Sequence, residues 1–272
     1  MKIWKPTEKD LKKSNSRLCL VYAEAGVGKT VTGLASLPEP IACVYTEERS
    51  VQDALQVIYN VYNKMVDVTF FGPPESHDEF TELLDEHIEL AKKKKFPYKS
   101  WFFDSSSYWM NTIMVRDAEK ITYEARPEIE KKKPFAEYRI EWPGYHGLAA
   151  RMRDLFDLFA RLSNIADIPV LVTAHLIDTP KWNASLSAAP YFYGQELSRS
   201  IDYMWHLIGL LERRQDGTYP PKITFEDPVR PILCKWTGIP IHKNKKIVFN
   251  HCDWSRILRI SCGLEKVLTK TK

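Results

Sequence analysis

The chain has 272 residues, 44% of them hydrophobic and 27% charged, with a formal net charge of +4. This is the composition of an ordinary globular protein, long enough to bury one large α/β core or a core with an appendage. There is no apolar run of about 18 residues, which excludes a membrane-spanning helix, and the opening MKIWKPTEKDLKK has no apolar signal core. The mildly basic balance permits a local nucleic-acid contact without arguing for one. Cys19, Cys43, Cys234, Cys252 and Cys262 form no C-x-x-C pair, and this suits a reducing cytoplasm. His251 and Cys252 are adjacent, so on a strand they would point to opposite faces, and no zinc site is expected.

Residues 1–15 are polar and lysine-rich, a surface segment. Leu18–Tyr22 then reads as a buried strand, and it runs into a small-residue loop and Gly28-Lys29-Thr30 at the head of a helix. This is the strand–loop–helix layout of a phosphate-binding P-loop. Ala23, Glu24, Ala25, Gly26, Val27, Gly28, Lys29 and Thr30 are the candidate nucleotide-binding residues. The loop must curl so that successive backbone N–H groups converge on phosphate oxygens, and a bulky side chain at Gly26 or Gly28 would block that approach. Lys29 would set a positive charge on the β- and γ-phosphates. The Thr30 hydroxyl would ligate Mg²⁺. The P-loop pattern usually begins with Gly, and Ala23 keeps the bend if its φ is negative.

The P-loop helix stops before Pro38-Glu39-Pro40. Ile41–Tyr45 is the second strand and ends in Thr46-Glu47-Glu48. Ser50 reads as the N-cap of a helix reaching about Asn63, with Val51, Leu55, Ile58 and Tyr62 on its buried face. Val68–Phe71 is a short strand. Ser76 to Glu79 is a capping box, followed by Phe80, Leu83, Leu84, Ile88 and Ala91 at helical spacing. Trp101–Asp104 is an apolar strand ending in an acid and three serines, with a helix over 106–122. Residues 123–144 mix prolines, charges and aromatics and read as a long insertion. Leu148, Met152, Leu155, Phe156, Phe159 and Leu162 form one helical stripe, and Ile168–Thr173 is the next strand, running into His175. Residues 179–195 read as a loop. Beyond residue 200, Asp216-Gly217 signals a hairpin among short strands. The expected fold is α/β: a mostly parallel sheet flanked by helices and extended by antiparallel C-terminal strands. The core spans 16–250, with 251–272 as a tail.

In such a sheet, ligands bind beyond the carboxyl ends of the strands. Asp104 fits the Walker B role of holding Mg²⁺ near Thr30, although an Asp there also suits a helix N-cap. Glu47 or Glu48 could deprotonate the attacking water, with Glu47 first; the alternative is charge complementarity with a helix start. His175 could sense the γ-phosphate, or could simply cap or pack.

Together these residues resemble the RecA/KaiC-type ATPases. YTEERSVQDAL looks like the KaiC strand that ends in adjacent glutamates. The order of VYAEAGVGKT, Glu47, WFFDSSSYW, GYHGLAARMRDLF, VTAHL and CKWTGIP is similar to phage-encoded RecA-like AAA-type nucleotide-binding proteins, single-strand-annealing recombinases among them. The resemblance covers about residues 15–240. It implies a RecA-like P-loop ATPase fold, ATP and Mg²⁺ as cofactors, and single-stranded DNA as partner. It also implies a ring or filament of identical subunits with ATP at the interface, in the cytoplasm (the host's, if phage-encoded). A neighbour would supply a basic finger: Lys235 in CKWTG, with Arg230, Lys243 and Lys245 as fallbacks. The family often has an Arg close behind this Lys, where Trp236 and Thr237 follow here. Single-strand binding wants basic and aromatic side chains together, and Lys131–Lys133, Phe135, Tyr138, Arg139 and Trp142 could supply them, or could simply pack the loop down. The competing readings are a KaiC-like regulatory module with slow turnover and a P-loop small-molecule kinase.

Overall fold

A computed structural model describes residues 15–127, 134–139, 144–180, 182–192, 195–237 and 246–265. Its centre is β1 (Arg17–Ala23), whose alternate side chains feed two cores. Leu18, Leu20 and Tyr22 face one side of the sheet; Cys19, Val21 and Ala23 face the other. All six are buried. A strand buried on both faces reads as a continuous apolar run, and a parallel sheet covered by helices on both sides requires such strands.

Along the chain β1 leads to α1 (Lys29–Ser36), β2 (Ile41–Tyr45), α2 (Glu48–Tyr62), β3 (Val68–Phe71), α3 (His77–Lys92) and β4 (Ser100–Asp104). A short α4 (Ser106–Tyr108) passes through a π-helical stretch, Trp109–Met114, into α5 (Val115–Glu124). Then come α6 (Gly144–Ala166), β5 (Pro169–Asp178), β6 (Ala188–Pro190) and α7 (Gln195–Met204). The chain closes with β7 (Leu207–Glu212), β8 (Lys222–Glu226), β9 (Lys235–Trp236), β10 (Ile247–Phe249) and α8 (Trp254–Ser261).

The sheet order is β10-β8-β7-β1-β5-β4-β2-β3, with β6 on β5 and β9 on β7. From β7 to β3 every neighbour is parallel. Beyond β7, β8 and β10 are antiparallel, and the β7–β8 hairpin turns at Asp216-Gly217 as expected. This is the α/β architecture that the RecA-like reading requires. One face is covered by α3, α6 and the π-helical stretch, the other by α1, α2 and α8. The six-residue stripe of α6 is buried throughout. Among the described residues no helix is long and apolar enough to cross a membrane.

The sequence and the fold differ in several places. Residues 251–265 carry α8, whose Trp254, Ile257 and Ile260 join the second core, so this part of the tail is integral to the layers. The segment 179–195 holds β6, an antiparallel extension of β5. The helix after β2 starts at Glu48, with Glu47 rather than Ser50 at its cap position. On its inner face Ala54 is buried with Val51 and Ile58, while Tyr62 is exposed. Ser76 does cap α3, accepting from Glu79 N at 3.1 Å, but the Glu79 carboxylate reaches Glu75 N and not Ser76 N.

Candidate active site

The P-loop leaves β1 at Ala23, which is buried and is absent from the residues of positive φ, as the bend requires. Gly26 and Gly28 turn the loop with φ of +72° and +101°. A Cβ at Gly28 would stand 2.8 Å from the Tyr219 hydroxyl, so both backbone and space demand glycine there. Val27 anchors the loop in the second core, whereas Glu24 and Ala25 are exposed. Lys29 is buried and reaches back over the loop, donating from Nζ to the Ala23 and Glu24 carbonyls at 3.1 and 3.0 Å. Burial lowers its pKa, opposed by the nearby Asp104 and Glu47 carboxylates.

Asp104 is buried at the end of β4 and is held from the first turn of α1 and from β5. Thr30 Oγ1 donates to its Oδ2 at 2.6 Å, and Thr173 Oγ1 on β5 donates to its Oδ1 at 2.5 Å. The carboxylate does not cap the following helix; Ser105 does, accepting from Tyr108 N. The Asp104–Ser105 peptide is cis. The other serines fasten the neighbourhood: Ser106 Oγ donates to the Thr173 carbonyl, and Ser107 Oγ donates to the Tyr191 carbonyl while accepting from His175 N. Thr46 at the end of β2 donates its N–H to the Asp104 carbonyl at 2.8 Å. Thus the first turn of α1, the end of β2, and strands β4 and β5 are cross-linked by hydrogen bonds around one carboxylate.

The two adjacent glutamates separate clearly. Glu47 has an extended backbone and an exposed position at the rim; partial desolvation of its carboxylate and the Asp104 charge raise its pKa, with Lys29 opposing. It therefore shares an electrostatic neighbourhood with both groups. Glu48, already in the helix, accepts from Gln52 Nε2 at 3.1 Å on the outer surface. His175 pairs with Ala23 in the β1–β5 register, beside the P-loop. Burial and the Lys29 charge lower its pKa below the ordinary histidine value, which favours the neutral ring.

Lys235 is not brought to this site within the chain. It pairs with Ile208, which lies beside Leu20, three residues before Ala23 and so roughly 10 Å further down the strand. Its Nζ donates to the Asp202 carbonyl. Arg230 is fully engaged: it forms a fork with Glu212, at 2.6 and 3.0 Å, and bonds Asp227 at 2.6 Å. It is therefore a structural arginine and not a free finger. Lys243 and Lys245 lie outside the described residues, as do Lys131–Lys133 and Trp142. Phe135 and Tyr138 lie against Tyr123, under the guanidinium groups of Arg116 and Arg126 respectively, so they pack the insertion down and do not form an open platform.

Two residues near the P-loop carry no signal in the sequence. The Tyr219 hydroxyl donates to the Gly28 carbonyl at 3.4 Å, and Arg213 Nη2 reaches the Gly26 carbonyl at 3.5 Å. Both sit on the β7–β8 hairpin, nearly two hundred positions beyond the loop.

The donor set suits a hard cation: one hydroxyl and one carboxylate, the oxygen ligands to which phosphate oxygens and water add. Among the described residues no cluster of three or more His, Cys, Asp or Glu could hold a metal alone. Mg²⁺ held jointly by protein and nucleotide needs no such cluster.

The chain matches no family model, and no curated protein matches it either. Among solved structures it is similar to the crystal structure of the RadB recombinase, with a TM-score of 0.43 and 15% identity over 80% of this chain and 84% of that one.

Proposed function

We propose that this protein is a Mg²⁺-dependent ATPase of the RecA-like type. The observation that carries the reading is the convergence of Thr30, Asp104 and Thr173 in one hydrogen-bonded set, with the Lys29 and Glu47 charges near enough to influence and be influenced by the Asp104 charge. Thr30 and Asp104 would hold Mg²⁺, which when bound neutralises charge on the phosphate oxygens. The P-loop backbone and Lys29 bind and orient the triphosphate. Glu47 takes a proton from the attacking water, and its raised pKa makes it a better base than an ordinary glutamate. The neutral His175 ring offers an N–H toward the terminal phosphate from the next strand. Glu48, turned onto the helix surface, has no part in the step.

The test is nucleotide binding and phosphate release by the purified chain with and without Mg²⁺. Mg²⁺-dependent ATP hydrolysis is the expected result, and failure to bind any nucleotide would overturn the reading. Single-stranded DNA as partner, and a ring or filament with Lys235 acting in a neighbouring site, complete the proposal. They predict that ATP raises affinity for single strands, and that Lys235→Ala loses turnover in the assembled protein while retaining nucleotide binding.

A KaiC-like module with slow turnover and a protein partner is the second reading. The packing of Phe135 and Tyr138 favours it, since it removes two candidate base-stacking rings. ATPase activity that is indifferent to DNA would choose this reading. A kinase is disfavoured because both arginines of the insertion are occupied: Arg126 lies over Tyr138, and Arg139 bonds the Ala136 and Tyr138 carbonyls.

A further inference from the structure

The first turn of α2 holds a hydroxyl that the mechanism above leaves without a task. Ser50 is half-buried, and its Oγ stands 3.3 Å from Thr30 Oγ1. Since α2 begins at Glu48, Ser50 does not cap the helix. The Thr30 hydroxyl has one proton, and Asp104 Oδ2 takes it at 2.6 Å. An ionised carboxylate can only accept, so the bond between the two hydroxyls runs from Ser50 to Thr30. It joins the first turn of α1, which carries the proposed metal-binding hydroxyl, to the first turn of α2, which follows directly from Glu47.

We infer that Ser50 is a positioning residue for the divalent cation: it donates to the Thr30 hydroxyl that Asp104 also holds and ties the Glu47 end of α2 to it. The inference rests on the Mg²⁺–ATP reading of the site. A hydroxyl is a free rotor, and Mg²⁺ demands near-ideal octahedral geometry from its ligands. With Asp104 and Ser50 both bonded to Thr30, the rotor is set before the cation arrives. Outer partners of this kind change metal affinity by about 10- to 100-fold when removed. The fold does not depend on the Ser50 oxygen, because α2 is held by the buried Val51, Ala54 and Ile58.

The experiment is a Mg²⁺ titration of binding of a fluorescent ATP analogue to the full chain, for wild type, Ser50→Ala and Ser50→Thr, alongside circular dichroism. In Ser50→Ala the half-saturating Mg²⁺ concentration should rise about tenfold, with nucleotide affinity in chelator unchanged. Ser50→Thr, which keeps the hydroxyl, should return to within about twofold of wild type. A Ser50→Ala titration that overlays wild type would overturn the inference, and so would a defect that Ser50→Thr does not repair. Wild-type binding that ignores Mg²⁺ would overturn the ATPase reading along with it.

Discussion

The sheet is built differently on the two sides of its P-loop strand, and the two sides serve the site differently. On one side, β5, β4, β2 and β3 are parallel strands whose carboxyl ends meet. There Thr173, and Thr30 from the first turn of α1, donate to the Asp104 carboxylate, and Thr46 donates its N–H to the Asp104 carbonyl. On the other side, β7 is followed by antiparallel strands laced by ion pairs. Glu212 takes Arg230 and Lys222, and Asp227 takes Arg230 and Lys246. Among its described residues that half lends Tyr219 and Arg213 to the P-loop, and both contact loop carbonyls. Parallel strands end at one edge and so can pool their chemistry; antiparallel strands alternate direction and can only brace it.

Substitutions can break this contrast. The largest effect should come from Lys29→Ala, which removes the buried charge of the loop: nucleotide binding should weaken sharply and turnover should vanish in a phosphate-release assay. Glu47→Gln should lower kcat by about 10²-fold or more with nucleotide affinity nearly unchanged, the scale of a lost general base. Glu48→Gln should stay within about twofold of wild type in the same assay, on the scale of a surface change. Equal losses at both positions would erase the distinction between them. Because the Glu47 pKa is raised, the acid limb of log kcat against pH should break above the ordinary glutamate value; a break below it would remove Glu47 as the base.

A core histidine beneath the parallel half gives a stability prediction. His87 is buried, Trp101 Nε1 donates to its Nδ1 at 3.3 Å, and burial lowers its pKa to about 4. The folded protein therefore holds the ring neutral where the unfolded chain, near 6.5, would protonate it. The contribution is complete above the unfolded value and is lost as pH falls toward 4, up to about 3 kcal/mol. Urea unfolding across that range, with the His87 resonance followed by NMR, checks it; a His87 titration near 6.5 would refute it.

In the antiparallel half, Arg230→Ala leaves Glu212 and Asp227 short of a partner. It should cost about 2 kcal/mol of stability while the folded fraction retains its turnover. Loss of turnover without loss of stability would instead make Arg230 part of the chemistry. The smallest effect should be at Tyr219. Removing only its long bond to Gly28 through Tyr219→Phe should be nearly silent, whereas Tyr219→Ala should loosen the loop and weaken nucleotide affinity by about 1 kcal/mol, read by equilibrium binding.

The parallel half was legible because its signals are local. A strand buried on both faces must be continuously apolar, and a P-loop must combine small residues with Gly-Lys-Thr. Asp104, Thr173 and His175 each announce themselves as the first polar residues after such a strand. The bracing half was harder to read. Tyr219 follows an ordinary hairpin turn, and nothing near it points to Gly28; only the pairing of β7 with β1 carries the hairpin to the loop. Arg230 read as a fallback finger because its fork with Glu212, a residue of β7, closes only when the chain folds.

By itself the sequence determined the alternation of elements, the P-loop and the set of strand ends from which a site could be assembled. Tertiary structure decided which members of that set meet. It started α2 one residue after Glu47, which leaves the Glu47 backbone extended and commits Glu48 to Gln52 on the helix surface, although the two are identical in chemistry and adjacent in the chain. It placed Lys235 opposite Ile208, too far down the sheet to serve its own P-loop. The physical reason is the same in both cases. Periodicity fixes which face a residue takes, but a helix's first residue and a strand's register are set by the partners packed against them.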